Sequence, residues 1–310
     1  MPNMFRLTRE VRFAINPAPD EQLAQKPTNS YGGYPSLRGF GAYLTLQITL
    51  AGKLDPSSNY LLNIKQIDAI VRRDAIPFLT TAARGAMSAE RRFGSAEHSP
   101  RLTEKRSAEP NLLDNPVTQD PPCESDIGIE TLTPAQATIA LFARLRDAWP
   151  GMDVQEIRLS LSPFLSYAAV ASELPMVRLS QKFEFSATHR LHNPRLSEEE
   201  NRLTFGKCNN PHGHGHNYEL QVTLRGTPNS HGILIDIPEF ERIVASAVID
   251  RFDHKNLNIE LPEFRELIPT VENIALVIYR LLKPRFDAAA ATLASVTVWE
   301  TPKTWCEYAE

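Results

Sequence analysis

The chain has 310 residues, of which 42% are hydrophobic, and a formal net charge of -4 at pH 7. This length allows two domains, and the slight acidity provides no basic field that would attract nucleic acid. No apolar run reaches the roughly 18 residues of a membrane span, and the first residues lack the apolar core of a signal peptide. The three cysteines, Cys123, Cys208 and Cys306, include no closely spaced pair, so we expect free thiols and a cytoplasmic protein.

Four segments of the N-terminal half recur in the same order in the C-terminal half. The pairs are MFRLTREVRF (4–13) with MVRLSQKFEF (176–185), YLTLQITLAG (43–52) with NYELQVTLRG (217–226), TPAQATIALFARL (133–145) with TVENIALVIYRLL (270–282), and IRLSLSP (157–163) with VTVWETP (296–302). Self-similarity of this kind indicates repeated structural units. We therefore predict two copies of one domain, residues 1–172 and 173–310.

In each copy the patterns predict strands at both ends and helices between them. In the C-terminal copy, apolar and polar residues alternate along 177–185 and 218–224, helical spacing follows along 240–248 and 274–282, and Val296 begins a closing strand. This order favours an α+β fold. We expect each copy to form a four-stranded antiparallel sheet with two helices on one face.

Residues 83–131 interrupt the N-terminal copy. They are rich in Pro, Ser, Glu and Arg and have little apolar periodicity. We expect a mobile insert between the two helices of that copy. Cys123 lies within it and is interpreted as an unpaired surface thiol.

Three of the eight histidines lie within the nine residues CNNPHGHGH. His214 and His216 share the parity of the inward-facing residues of the second strand, since alternate side chains share a face. His189 has the inward parity of the first strand, so the three rings would meet if the two strands pair as a hairpin. His212 has the same parity as His214, but it follows Pro211, where the strand has not begun.

Three imidazoles without a carboxylate would hold Zn²⁺ and leave a coordination position open. The alternative is that these histidines are polar residues of the core. The N-terminal copy argues against that alternative, because Pro17, Phe40 and Ala42 stand where the C-terminal copy has the histidines. The strand pattern persists there, so the fold does not require these side chains.

The segments FSATHRLHNPRLSEEENRLTFGKCNNPHGHGHNYELQVTLRG, DHKNLN, TVENIA and WET resemble the 6-pyruvoyl-tetrahydropterin synthase family over residues 176–310. The resemblance implies the tunnelling fold, in which such units assemble side by side into an antiparallel barrel. It implies a lyase that converts 7,8-dihydroneopterin triphosphate to 6-pyruvoyltetrahydropterin and releases triphosphate. It also implies Zn²⁺ bound at the positions that match His189, His214 and His216.

The resemblance further assigns a catalytic group. Cys208 would be the proton acceptor, and Asp253 and His254 would form the relay that ionises and orients its thiol. The structural alternative for the relay is a turn that His254 caps. His212 departs from the family, which usually has Asn at this position, and we expect it to be idle.

The resemblance also assigns the substrate pocket. Glu300 would anchor the pterin ring, and Thr270 and Glu272 would line the pocket. Glu300 has the parity of Val296 and is predicted to point inward, where an unpaired carboxylate would be unfavourable. The alternative for Glu300 is a structural ion pair.

The N-terminal copy lacks the relay and the anchor. Thr80 and Thr81 stand near the positions of Asp253 and His254, and Leu161 replaces Glu300. We expect this copy to be degenerate, with no zinc and no catalysis. Because the sites of the family lie between neighbouring units, we expect a homo-oligomer, namely a homotrimer in which a ring of three active units is stacked on a ring of three silent units.

Two other functions share these residues. One is 6-carboxy-5,6,7,8-tetrahydropterin synthase of the queuosine pathway, which uses the same substrate. The six-residue step from Cys208 to His214 favours the pyruvoyl product over this one. The other is a non-catalytic pterin- or zinc-binding protein. A zinc hydrolase is disfavoured because the chain has no H-E-x-x-H motif.

Overall fold

The computed structural model describes residues 4–15, 29, 41–83, 132–286 and 291–310. Residues 84–131 of the predicted insert, with Cys123, and the positions Pro17 and Phe40 lie outside the described residues. Among the helices of the described ranges, none is both long and apolar enough to cross a lipid bilayer.

The strands of the described ranges form one sheet. They are β1 (Phe5–Ile15), β2 (Ala42–Gly52), β3 (Asp153–Ser160), β4 (Leu165–Val170), β5 (Val177–His189), β6 (His214–Gly226), β7 (Lys255–Asn256), β8 (Ala291–Thr301) and β9 (Thr304–Tyr308). Their order across the sheet is β1-β2-β3-β4-β5-β6-β8-β9, with antiparallel neighbours throughout. The short β7 pairs in parallel with β5.

The helices lie between β2 and β3 in the N-terminal half and between β6 and β8 in the C-terminal half. One further helix lies between β5 and β6. They are α1 (Ile64–Ile70), α2 (Pro134–Leu145), α3 (Glu198–Phe205), α4 (Ile237–Val244), α5 (Asp250–Phe252), α6 (Leu257–Glu260) and α7 (Val271–Phe286). Residues 76–83 are also helical. Short 3-10 turns occupy Ala171–Glu173, Gly206–Asn209 and Pro262–Phe264.

Local sequence fixes where two of these helices begin. Thr133 caps α2 and exchanges hydrogen bonds with Gln136 in a capping box, and Pro134 follows at the first helical position. Ser197 and Glu200 form the same arrangement at the start of α3. Such caps satisfy amide groups that the helix itself leaves without a partner.

One face of the sheet is apolar and packs on the helices, as predicted. Beneath β1–β3 lies a cluster centred on Phe13, Leu46 and Leu141, and beneath β5, β6 and β8 lies a second cluster that includes Tyr218. The opposite face carries ion pairs such as Glu219 with Lys182. This division confirms the predicted α+β fold with helices on one face of an antiparallel sheet.

The two halves share local irregularities of the backbone. The register of β2 with β3 shifts between Thr49 and Leu50, and that of β6 with β8 shifts between Thr223 and Leu224. These positions correspond in the aligned segments. In both halves the first helix passes into a π-helical turn, at Val71–Ala75 and at Ala245–Ile249. Bulges of this kind are specific features of a fold.

The two halves join edge to edge in the same sheet. β4 pairs with β5 from Leu165 opposite Gln181 to Ala168 opposite Arg178. The expected trimer places the silent and active units in separate stacked rings, whereas this junction places the two units of one chain side by side in one sheet. Hydrophobic alternation located three strands in each half, but it did not locate β4 or specify that β4 is the neighbour of β5.

The turn between β4 and β5 is held by a partly buried ion pair. Glu173 accepts two hydrogen bonds from Arg178, at 2.8 and 2.6 Å, and Arg225 lies 3.3 Å away. The hydrogen bond from Arg178 is the main cause that holds the pKa of Glu173 below its usual value. The carboxylate therefore ties the junction of the two halves to β6.

We predict that Glu173→Gln lowers the free energy of unfolding by about 1–2 kcal/mol at pH 7, because a charge-assisted bidentate pair is lost. A depressed folded-state pKa stabilises the fold above the unfolded-state value of about 4.3. The difference from the wild type should disappear as the pH falls through the folded-state pKa. Urea unfolding at a series of pH values measures it.

The matched control is Glu199→Gln, which breaks an exposed pair with Arg202 on α3. Exposed ion pairs contribute little to the free energy of unfolding, so this variant should unfold like the wild type. An equal loss of unfolding free energy in both variants would show that the ion pair of Glu173 stabilises the fold no more than an exposed pair does.

Candidate functional site

The hairpin of β5 and β6 brings the three predicted histidines together. His189 ends β5 directly opposite His214 at the start of β6, and His216 lies opposite Ala187. The Nε2 atoms of His189 and His214 are 3.0 Å apart. The ring centroid of His216 lies 5.2 Å from that of His189 and 4.9 Å from that of His214. The predicted pairing and the predicted convergence are both confirmed.

Glu300 joins this group from the end of β8. Its Oε1 lies 3.2 Å from Nε2 of His189 and 3.5 Å from Nε2 of His216. One donor atom from each of the four side chains lies within 4.8 Å of the others. The inward orientation of Glu300 agrees with the parity argument, but sequence reasoning did not place it against the imidazoles.

The hydrogen bonds of His189 fix its tautomer. Nδ1 lies 2.7 Å from the carbonyl oxygen of Pro269, which accepts only, so Nδ1 carries the proton. In the neutral ring, Nε2 then carries a lone pair, and this lone pair is directed at His214 and Glu300. A backbone carbonyl that orients an imidazole in this way is the usual outer partner of a metal-binding histidine.

Two ring nitrogens of the site lack a hydrogen-bond partner among the described residues. The Nε2 atom of His216 and the Nδ1 atom of His214 are buried without a hydrogen-bond partner in the described residues. Burial is the main cause that lowers the pKa of both rings, and the neighbouring histidines lower it further. Neutral rings and a carboxylate that meet at one point are suited to a cation. This group could therefore bind a metal ion.

Tyr218 is a site residue that the sequence analysis did not assign. Its hydroxyl lies 3.4 Å from Nδ1 of His189, and the side chain is fully buried. Burial, followed by the charges of Glu300 and Cys208, raises its pKa. The alternation of the strand could have identified Tyr218, because it is the next inward-facing residue after His216. No sequence pattern could have identified the Pro269 carbonyl, since every residue has a backbone oxygen.

Cys208 lies on the 3-10 turn before β6. Its carbonyl oxygen accepts from the amide of Leu191, 2.9 Å away, which attaches this turn to the end of β5. The thiol is half-buried and free.

Asp253 and His254 form a pair at the outer edge of β5. Nδ1 of His254 lies 2.8 Å from Oδ2 of Asp253, and the other carboxylate oxygen accepts from the amide of Ser186. The His254 side chain is 84% exposed and borders an open recess of about 560 Å³. Among the described residues, no hydrogen bond or ion pair links Cys208 with this pair. The expected relay is therefore not assembled within one chain.

Thr270 and Glu272 begin α7 near the site. The hydroxyl of Thr270 accepts from the amide of Asn273, and the residue follows the Pro269 carbonyl that orients His189. The charge of Glu272 contributes, after burial, to the raised pKa of Cys306 on β9. Neither residue belongs to the group of converging donors.

The remaining positions agree with the expected roles but do not test them. His212 precedes β6 and is exposed, with only its amide bonded, to Asn210. In the N-terminal half, Ala42 is exposed, and the hydroxyls of Thr80 and Thr81 donate to helix carbonyls. Leu161 packs on both apolar clusters.

Comparisons with known proteins cover the half that carries this site. Residues 178–310 match the family model described as 6-pyruvoyl tetrahydropterin synthase. A stretch of 143 residues is 39% identical to Drosophila melanogaster 6-pyruvoyl tetrahydrobiopterin synthase and covers 44% of this chain and 82% of that protein. The chain belongs to the 6-pyruvoyl tetrahydropterin synthase family. Its C-terminal half is a lyase of the 6-pyruvoyl tetrahydropterin synthase type.

Two further similarities accompany this family membership. The chain is 28% identical over 156 residues to 6-carboxy-5,6,7,8-tetrahydropterin synthase of Haemophilus influenzae, which covers 44% of this chain and 100% of that protein. The solved structure of Caenorhabditis elegans 6-pyruvoyl tetrahydropterin synthase is 37% identical, with a TM-score of 0.42, and covers 44% of this chain and 98% of that one.

The backbone before β6 gives a test of how closely the histidines are held. Gly213 has a φ of +74°, and a Cβ there would lie 3.1 Å from the His189 carbonyl oxygen. Gly213→Ala should therefore cost at least about 2 kcal/mol of unfolding free energy. Gly151→Ala, at a φ of +79° with no atom within 4 Å, should cost about 1 kcal/mol. Thermal and urea unfolding compare the two, and equal costs would contradict close packing at His189.

Proposed function

We propose that the C-terminal half converts 7,8-dihydroneopterin triphosphate to 6-pyruvoyltetrahydropterin and triphosphate, with Zn²⁺ held by His189, His214 and His216. The observation that carries this proposal is the convergence of three imidazoles at the ends of β5 and β6, beside Glu300, in the half that matches the family. The reaction rearranges protons and reduces the pterin ring internally, so no external redox cofactor is required.

The donor set favours zinc over the hard cations. Imidazole nitrogens suit Zn²⁺, whereas Ca²⁺ and Mg²⁺ prefer oxygen ligands. Three histidine ligands leave one coordination position for substrate. The bound ion would act as a Lewis acid on oxygens of the substrate side chain and make the adjacent C–H and O–H groups more acidic.

Glu300 is proposed as the pterin anchor and not as a fourth permanent ligand. A Glu side chain has an ordinary pKa of about 4.3, so Glu300 is a carboxylate at neutral pH. A carboxylate accepts the amino and ring N–H groups of a pterin. Its side chain is 20% exposed, whereas that of His189 is fully buried, so Glu300 reaches the opening where a substrate enters. Thr270 and Glu272 complete the pocket wall in this proposal.

Cys208 is proposed as the proton acceptor, with Asp253 and His254 as its relay from another chain. Support for a relay between chains comes from the exposed His254 ring and from the lack of a described link to Cys208 of the same chain. Asp253 would orient the imidazole, and the imidazole would take the thiol proton, the usual logic of an activated nucleophile or base. A free thiol at this position also suits the reducing cytoplasm.

The N-terminal half, residues 1–172, is proposed as a degenerate copy of the C-terminal domain, residues 173–310, with both built as tunnelling-fold units. The repeated register shifts and π-helical turns support common ancestry of the two halves. The replacements at Ala42 and Leu161 support the absence of zinc and catalysis in residues 1–172. Such a half would supply structure, not chemistry.

We predict one zinc ion per chain. His214→Ala should lower zinc affinity by about 100-fold or more, since a ligand is worth more than an outer partner. His212→Ala is the matched control from the same loop and should bind zinc like the wild type. Competition with a chromophoric chelator measures both, and equal affinities would contradict the assigned ligands.

Glu300→Gln separates the two roles open to that residue. As a pterin anchor it should retain zinc affinity and raise KM for the substrate, because an amide presents a donor where the pterin also donates. A loss of zinc affinity comparable with that of His214→Ala would instead make Glu300 a ligand.

We predict that Cys208→Ala and His254→Ala each lower kcat by about 100-fold or more with zinc still bound, the usual effect of losing a general base. Mixing the two variants under conditions of subunit exchange should restore activity, because one chain would supply the thiol and the other the relay. Failure of the mixture to recover would contradict a relay between chains.

The product itself distinguishes the candidate functions. Mass spectrometry of the reaction with zinc-loaded protein should find 6-pyruvoyltetrahydropterin. A carboxylated product would favour the 6-carboxytetrahydropterin synthase, and full retention of substrate would indicate a binding protein without turnover.

A further inference from the structure

A recess of about 470 Å³ lies beside the 3-10 turn that carries Cys208. Its walls come from the end of β5, from α3 and from the turn itself, and they include Arg190, Arg202, Lys207 and Asn209. None of the side chains that converge at the candidate metal site lines it. The recess is therefore a separate feature of the described C-terminal half.

Two cations of this recess have no carboxylate partner among the described residues. The Lys207 side chain is exposed, and within those residues its ammonium forms no hydrogen bond or ion pair. The guanidinium of Arg190 is held by its Nε, which donates to the backbone oxygen and to Oδ1 of Asn209, at 3.2 and 3.1 Å. The two Nη atoms of Arg190 are left to donate to a ligand.

Arg190 is held firmly in place. Its amide donates to Oδ1 of Asn258, at 2.7 Å, and its carbonyl oxygen accepts from Nδ2 of the same side chain, at 3.0 Å. Asn209 is only 9% exposed, and its Oδ1 also lies 3.1 Å from Nδ1 of His192. A guanidinium that is fixed before binding loses little conformational entropy when a ligand arrives.

The carboxylates of the recess do not cancel its positive charge. Glu199 is already paired with Arg202, through hydrogen bonds of 2.6 and 2.9 Å. Glu198 is the remaining acid, and it occupies the first residue of α3, where the helix dipole stabilises a negative charge. Three cations against two carboxylates leave a net charge of one, so an anion is the ligand that this lining favours.

The recess adjoins both the proposed metal ligands and the proposed proton acceptor. Arg190 directly follows His189, and Asn209 directly follows Cys208, so the Cα atoms of each pair are about 3.8 Å apart. The amide of Leu191 joins the two segments by donating to the carbonyl oxygen of Cys208, at 2.9 Å. A substrate held at the metal would therefore have its far end close to the recess.

We propose that this recess binds the triphosphate of the substrate, with Arg190 and Lys207 as its cationic contacts. This inference rests on the proposed function. In 7,8-dihydroneopterin triphosphate the phosphates are attached at the end of the side chain whose oxygens the metal would hold. A guanidinium donates two hydrogen bonds to phosphate oxygens in a fork, and an ammonium attracts them as a point charge.

The recess beside His254 is less suited to this anion. There Lys255 is paired with Glu260, at 3.0 Å, and the His254 ring is paired with Asp253, at 2.8 Å. A phosphate would have to compete with these carboxylates for both side chains. Lys255 therefore offers a matched control for Lys207.

Calorimetric titration of the zinc-loaded protein with inorganic triphosphate tests the recess without turnover. Lys207→Gln should weaken binding about tenfold, because a charge-assisted hydrogen bond is lost. The fold should persist, since this side chain is exposed. Lys255→Gln should bind like the wild type. Zinc content is measured after each titration, because triphosphate also chelates metal ions.

Turnover provides a second readout. Lys207→Gln and Arg190→Lys should each raise KM for dihydroneopterin triphosphate about tenfold with kcat retained, because the contact is equal in the ground state and the transition state. Lysine keeps the charge of Arg190 but lacks the fork. Loss of zinc or of kcat in Arg190→Lys, with unchanged KM, would overturn its assignment and leave it only the role of holding the Cys208 turn.

Three results of the titration would overturn the proposal. They are a wild-type protein that does not bind inorganic triphosphate, equal affinities of the wild type and Lys207→Gln, and a larger loss in Lys255→Gln than in Lys207→Gln. Weaker binding in Lys207→Gln by a protein that forms no pterin product would support the recess and contradict the proposed reaction. The two failures are therefore distinguishable.

Discussion

The pairing of β5 with β6 is the constraint on which the candidate site depends. It sets His189 directly opposite His214 and places His216 two residues further along the same face. A shift of one residue would turn either set of side chains to the opposite face. The register is held along both strands by buried pairs such as Phe185 with Tyr218, whose rings stack at 4.9 Å. A well-packed hairpin therefore brings together groups that would otherwise avoid each other.

The groups that this hairpin assembles are poor partners without a cation. His189 donates its only proton to the Pro269 carbonyl and directs a lone pair toward Glu300 and His214. Buried acceptors that face one another lose hydration without gaining a donor. A metal ion would satisfy them together, which is why the proposed chemistry begins with the geometry of the strands and not with a single reactive residue.

The continuous sheet changes how the two halves are understood. The N-terminal half is not a separate module, because its β4 pairs with β5 of the half that carries the histidines. The N-terminal half therefore supplies a neighbouring strand to the half that carries the histidines.

Periodicity in the sequence predicted which face of a strand each side chain lies on. It did not predict which strands are neighbours in the sheet. Parity located His189, His214 and His216 on one face and turned Glu300 inward, because side-chain direction in a strand follows residue number. It did not predict the pairing of β4 with β5, since alternation specifies a buried face and not the adjacent strand. It also could not find the Pro269 carbonyl, because a backbone oxygen has no sequence signature.

Anomalous diffraction from crystals of the zinc-loaded protein, measured at the zinc absorption edge, tests the central claim most directly. We predict one strong peak per chain, within coordination distance of the Nε2 atoms of His189, His214 and His216, and none in residues 1–172. A peak elsewhere, a second peak of equal strength in the N-terminal half, or no peak in fully loaded protein would contradict it.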